Sequence, residues 1–185
     1  MRALTGERVV LRPIAETDAP TLRTIHALPE VVQWWGLPED DFPFDDDPDA
    51  TRFAIVCDGE IAGLIQYGEE LEPSYRYAWI DIFVDPRRQR RGLGTDAIAT
   101  LVRYLVEEHG HHRVTIDPAA DNEAAIRCYR KAGFRQVGVM EAAWRDFTTG
   151  RWRDALLMEL VVRPPEPASD DVAATTAAPQ SAGAE

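Results

Sequence analysis

The sequence predicts a mixed α/β domain: a mostly antiparallel sheet with helices on both faces. Three observations carry that expectation. Asp58-Gly59 separates two short apolar runs, a strong hairpin signal. From Gly94 the apolar spacing changes to a helical one, with Ile98, Leu101, Val102 and Leu105 at i, i+3, i+4 and i+7. A long apolar run precedes that helix and a short one follows it, which puts a strand–helix–strand unit at the centre of the chain.

The elements follow in order. Residues 8–12 (RVVLR) read as a short strand. Thr17 and Asp18 offer an N-cap to an amphipathic helix through Leu22, Ile25 and His26. Pro29 can start a second helix through Val31, Val32 and Trp35, stopped at Gly36. Residues 39–49 (EDDFPFDDDPD) form a loop of prolines and carboxylates, either a solvated surface or an acidic wall beside a cationic ligand. Residues 53–57 and 61–67 make the hairpin, and residues 75–84 (YRYAWIDIFV) a long third strand stopped by Pro86. The central helix runs to Gly110. Residues 113–116 form a strand closed by Asp117-Pro118, and Asn122 caps a helix through Ile126 and Tyr129 that ends at Gly133. Residues 134–140 and 156–162 are late strands, joined by a polar segment with a turn near Thr149-Gly150.

Residues 1–163 make one domain. Residues 164–185 are rich in Ala, Pro, Ser, Thr and acid, too poor in apolar bulk to offset ordering entropy, and are expected to be disordered. The hydrophobic share of 45% supplies one core. A formal net charge of −12 argues against nucleic acid as a partner; it is compatible with a cationic small molecule, though charge by itself is as well explained by solubility alone. An apolar run of membrane-spanning length is missing and the N-terminus lacks signal-peptide features, so a cytoplasmic protein with no membrane partner is expected. The two cysteines, Cys57 and Cys128, form no CxxC pair; Cys128 is expected to be buried and inert.

The most informative stretch is DPRRQRRGLGTDA, residues 85–97. Its glycines sit where a strand ends and a helix begins. A helix start exposes unpaired amides and the positive end of the dipole, and glycine lets a ligand approach the backbone. That makes an anion cradle, to which Arg87, Arg88, Arg90 and Arg91 add charge. It is not a Walker A loop, because no lysine followed by Ser or Thr comes after the glycines. Nor is it a dinucleotide fingerprint, because Ala97 stands at the third glycine and the spacing from the strand is wrong.

Gln89-Arg90-Arg91-Gly92-Leu93-Gly94 resembles the Q/R-x-x-G-x-G/A signature of the GNAT acetyltransferases. Asn122 and AIRCYRKAGF, residues 125–134, resemble the superfamily's second conserved segment, and the likeness spans nearly all of residues 5–162. It implies a GNAT-type sheet and acetyl-CoA as donor, with no metal. The pyrophosphate would lie on amides from Arg90 through Arg91, Gly92, Leu93 and Gly94 to Thr95, with Gln89 and Asn122 nearby. The pantetheine arm would pair near Phe83 and Val84. Tyr129 would face the CoA sulfur, as its place in CYRKAGF implies, and protonate the leaving thiolate.

Asp81 interrupts an apolar strand, which is unfavourable unless the carboxylate is paired or faces a cleft. Asp117 ends the next strand of the unit, and the two could converge. WWG, IDIFVDP, RGLGTDA and TIDPAADN are similar to aminoglycoside 6′-N-acetyltransferases. That likeness implies that Asp81 and Asp117 bind the amino sugar and accept its proton. Trp34, Tyr67 and Trp79 would offer apolar platforms to sugar faces, and Asp154 an extra ammonium ligand. The acceptor is then a cationic amine, an aminoglycoside first. The alternatives are a metabolite, siderophore-precursor or peptide amine, and a non-catalytic acyl-CoA-binding module. A monomer or homodimer is compatible with the sequence.

Overall fold

The computed structural model describes residues 2–44, 50–146 and 148–163. The elements are β1 (Leu4–Thr5), β2 (Val10–Pro13), α1 (Ala19–His26), α2 (Pro29–Trp35), β3 (Thr51–Cys57), β4 (Glu60–Glu70), β5 (Tyr77–Val84), α3 (Leu93–Glu107), β6 (Arg113–Ile116), α4 (Glu123–Lys131), β7 (Arg135–Arg145) and β8 (Trp152–Val161). The eight strands form one sheet in the order β1-β2-β3-β4-β5-β6-β8-β7. Every neighbouring pair is antiparallel except β5 and β6. The mixed α/β sheet read from the sequence is therefore the one observed.

Two cores explain why helices cover both faces. Ile98, Leu101 and Leu105 of α3 and Ile126 and Tyr129 of α4 pack on one face, against Ile65, Tyr67, Ala78 and Ile80. Leu22 and Ile25 of α1 and Val31 of α2 pack on the other, against Leu64 and Phe83. Alternation along β5 divides its side chains between the two, Ala78 and Ile80 to the first and Phe83 to the second.

Several local details depart from the sequence reading. Asp18 does not cap α1 through its side chain. Its carboxylate instead accepts from Arg12 Nη1 and Nη2 and from the Ala15 amide at 2.6, 2.8 and 2.7 Å, tying β2 to the start of α1. β7 and β8 extend through much of the segment read as polar. β7 is an edge strand whose residues are mostly exposed, so its ladder to β8 defines it while its composition stays polar. Of the acidic loop, Asp45, Asp46, Asp47, Pro48 and Asp49 lie outside the described residues, as does the 164–185 tail. Phe42, from the same loop, is buried against His26 and Phe83.

Candidate active site

The site is built on the single parallel junction. β5 and β6 pair only at Ala78 with Val114 and at Trp79 with Thr115. Beyond that the strands part, and β6 continues its ladder with β8 through Ile116 and Met158. Asp81 lies two residues past the last pair on β5, and Asp117 two residues past it on the β6 side. The divergence turns what would be a ladder into a cleft with a carboxylate on each wall.

The two carboxylates interact with each other and with Tyr129. Asp81 is half-buried, and its Oδ1 accepts the Ile82 amide at 2.9 Å. Burial is the main cause that raises its carboxyl to about 7, with the like charge of Asp117 adding to it against the Ile82 bond. Asp117 is exposed at the rim, yet crowding by protein also raises its carboxyl. Water access limits that rise, so Asp81 is the more strongly perturbed of the two. Tyr129 is buried, and burial, followed by Asp81, Cys128 and Asp117, holds its hydroxyl well above its ordinary value. It is a proton donor at neutral pH. Asp81, Asp117 and Tyr129 are thus brought together, as their sequence positions suggested.

The stretch that the sequence reading gave to the donor offers mostly main chain. Gly92 caps α3 at φ 79°, the left-handed region that favours glycine, and makes no side-chain cap. The first helical bond runs from the Asp96 amide to the Gly92 carbonyl at 3.0 Å. The amides of Leu93, Gly94 and Thr95 precede it and lack intrahelical acceptors. The Leu93 side chain is buried in the core. On β5, residues past Trp79 pair with β4 on one side only, which leaves the edge of Phe83 and Val84 toward β6 unladdered. The Phe83 ring is buried beside His26 and Trp35, and Val84 is partly buried. Gln89 Nε2 donates to the Val84 carbonyl at 3.3 Å. Asn122 caps α4 by accepting the Ala125 amide at 3.1 Å.

Three of the four arginines are already paired. Arg87 bridges to Asp85 at 2.8 Å, Arg88 to Glu60, and Arg91 to Asp58 at 3.2 Å. Their charges are partly neutralised within the fold, and the amides contribute the more dependable anion site. Hollows of about 730 and 470 Å³ flank the turn; Arg91 lines both.

Other positions correct the sequence reading. Tyr67 lies in the core under α3, stacked with Phe53 at 6.4 Å and 4% exposed, so it offers no platform in the cleft. Trp34 is half-buried, but the Arg153 guanidinium stands over its ring at 5.1 Å and over Trp144 at 5.3 Å. Arg153 also pairs with Asp121 and, at 3.1 Å, with Asp146. Trp34 therefore already has a cationic partner. Trp79 is half-buried and lies against Gly68, where any Cβ would collide with the indole. Asp154 is exposed; its Oδ1 accepts the Ala142 amide at 2.9 Å and steadies the irregular pairing of β7. Cys128 is half-buried rather than buried, 3.3 Å from Thr95 Oγ1 at the glycine turn. Burial pushes its thiol up, which keeps it unreactive at neutral pH.

Sequence reasoning missed two groups. Asp96 sits in the first turn of α3 and accepts the amides of Glu7, Arg8 and Val9 at 3.1, 2.7 and 2.9 Å, fastening the β1–β2 turn to the donor helix. The Arg153 cluster draws on residues from 34 to 153, and its long-range contacts leave no local signal.

Comparison with known proteins identifies the framework. The profile of the acetyltransferase (GNAT) family matches residues 14–134. The chain belongs to that family. Spermidine N(1)-acetyltransferase from Escherichia coli K12 is 31% identical over 166 residues, covering 83% of this chain and 86% of that protein. Aminoglycoside N(6′)-acetyltransferase type 1 from Klebsiella pneumoniae is 27% identical over 159 residues, covering 74% and 78%. Among solved structures, aminoglycoside acetyltransferase AAC(6′)-Ib in complex with coenzyme A superposes with a TM-score of 0.68 at 25% identity, covering 83% and 94%. The chain is an N-acetyltransferase that uses acetyl-CoA to acetylate an amine. The residues fit that donor: free helix-start amides for a pyrophosphate and an open strand edge for an extended amide-bearing arm. Among the described residues, no helix is long and apolar enough to cross a membrane.

Proposed function

We propose that the acceptor is the 6′-amino group of an aminoglycoside, which attacks the carbonyl carbon of the donor's thioester directly. The observation that carries this reading is the Asp81–Asp117 pair across the strand divergence, with Tyr129 close enough for both charges to act on its hydroxyl. An amine must be neutral to attack, and it arrives as an ammonium. Asp81 and Asp117 hold that ammonium and take its proton, Asp81 with a carboxyl near the working pH. The arriving cation favours the ionised pair that the two carboxylates disfavour alone. As the C–S bond breaks, Tyr129 donates its proton to the departing thiolate, and the proton that the acylated nitrogen then sheds restores the tyrosine. The amides of Leu93, Gly94 and Thr95 hold the pyrophosphate, and the open edge at Phe83 and Val84 orients the pantetheine arm. The net charge of −12 and the likeness to the Klebsiella pneumoniae enzyme support a polycationic acceptor.

A second reading has its own support: the Escherichia coli spermidine enzyme is 31% identical, which favours a linear polyamine. Tyr67 in the core and Trp34 under Arg153 leave fewer bare aromatic faces for sugar rings than the sequence implied. Thiol release from acetyl-CoA, measured with kanamycin and with spermidine, separates the two. Release with kanamycin at the higher kcat/KM is the expected result. Release with spermidine alone assigns the second reading. Release with neither overturns both readings and assigns another amine as acceptor.

A further inference from the structure

We propose that Glu69, His109 and His111 form a binding site for a zinc-class divalent cation, separate from the acetyl-transfer site. Glu69 lies near the end of β4, and the two histidines lie between α3 and β6. Glu69 Oε1 accepts His109 Nδ1 at 2.8 Å and His111 Nε2 at 2.6 Å. The three donor atoms all lie within 4.8 Å of one another. Two imidazoles and one carboxylate are the donor set that zinc and its transition-metal neighbours take, whereas magnesium and calcium prefer oxygen alone. A tetrahedral ion places its ligands roughly 3.3 Å apart, given bonds of about 2.0–2.1 Å, so the separations of 2.8 and 2.6 Å need to open by about 0.5 and 0.7 Å.

The fold holds the donors in place from three directions. Glu69 is paired with Ala78 in the β4–β5 ladder. The His111 amide donates to the Leu105 carbonyl at 3.0 Å, and Arg76 donates to the carbonyl of His109. Tyr104 and Tyr67 pack on the His109 ring at 4.6 and 5.9 Å, screening it from water on that side. Burial is graded: the side chain of His111 is fully covered, while those of Glu69 and His109 are 21% and 26% exposed. That gradient leaves an entry path and room for water as a fourth ligand. His111 Nδ1 is buried with no partner among the described residues, so the polar engagement of that ring is concentrated at Nε2.

The position argues for a structural role. Ala78, the ladder partner of Glu69, and Val84, which precedes the donor turn, are six residues apart, about 20 Å along β5. An ion there would tie β4 to the segment entering β6, immediately ahead of the short parallel junction. A simple hydrogen-bonded trio is the competing account, and metal uptake decides between them.

Tag-free, chelator-treated full-length protein is titrated with zinc and with magnesium by calorimetry. Cobalt is followed by its visible ligand-field absorption. The wild type should take up one zinc per chain, show the cobalt band, and give no heat with magnesium. His109→Gln and Glu69→Gln should each weaken zinc uptake on the order of 100-fold and lose the cobalt band, at or beyond the upper range seen when an outer-shell partner is lost. His112→Gln should leave uptake unchanged. His109→Gln carries the test if the Glu69 variant fails to fold, because His109 lies at the rim. Failure of the wild type to take up zinc stoichiometrically, or uptake unchanged in His109→Gln, overturns the proposal.

Discussion

The donor and acceptor ends of the cleft are built from different materials. At the proposed donor end the groups on offer are main-chain amides at the start of α3 and the bare edge of β5, while three nearby arginines are engaged with Asp85, Glu60 and Asp58. At the proposed acceptor end they are side chains, Asp81, Asp117 and Tyr129, whose shifts come from burial and from one another, with no arginine or lysine among the causes. Main-chain groups have fixed partial charge and no titration. Side-chain acids gain and lose protons, and their proximity moves their affinities for them. Binding of the donor should therefore tolerate changes in side chains and in pH, whereas turnover should tolerate neither.

The sharpest break of that contrast is Tyr129→Phe. It should lower kcat on the order of 100-fold, the scale of one lost general acid, and leave the acetyl-CoA dissociation constant unchanged in calorimetry. Unchanged turnover would remove Tyr129 from the chemistry. Next come Asp81→Asn and Asp117→Asn, each expected to lower acceptor kcat/KM by about tenfold or more. The wild-type rate should climb as pH rises through about 7, as Asp81 ionises, and Asp81→Asn should lose that limb. A profile shared by both proteins would assign the limb to another group.

Stability supplies an independent reading of the same carboxyl. The folded value of Asp81 is raised from 3.8 to about 7, so its contribution is fully present below the unfolded value. It is lost as pH rises through the folded one. The melting temperature of the wild type minus that of Asp81→Asn should fall between about pH 4 and 7 and level off above. A flat difference would mean that Asp81 is unperturbed.

Smaller effects belong to the donor end. Gly92→Ala forces a Cβ into φ 79°, at a cost of about 1 kcal/mol, and should raise the acetyl-CoA KM about fivefold. Arg91→Ala, at an exposed ion pair, should change it by less than about twofold. A larger loss for Arg91 than for Gly92 would show that the arginines, not the amides, hold the donor.

What the sequence disclosed follows the same division. The glycine turn was legible because helix-start chemistry is local: the residues that make it are adjacent. Asp81 was legible because a charge in an apolar strand is conspicuous, and the junction of strand, helix and strand placed Asp117 opposite it. Tyr67 was misread because the sheet is covered on both faces, so an apolar strand does not say which face opens on a ligand. The Arg153 partner of Trp34 was invisible because it is more than a hundred residues away and pairs through tertiary contact alone. The outer halves of β7 and β8 were unreadable as strands, since exposure on both sides removes the alternation that marks one.

The junction of β5 and β6 has a mechanical consequence. Two residue pairs join a five-strand plate to a three-strand plate, with Asp81 on the first and Asp117 just past the end of β6 on the second. Ladder bonds alone fix little across that seam. What holds the plates together is the shared core, where Ala78 and Ile80 of one meet Val114, Ile116 and Met158 of the other beneath α3 and α4. The spacing of Asp81 from Asp117 is thus set by side-chain packing as much as by strand pairing.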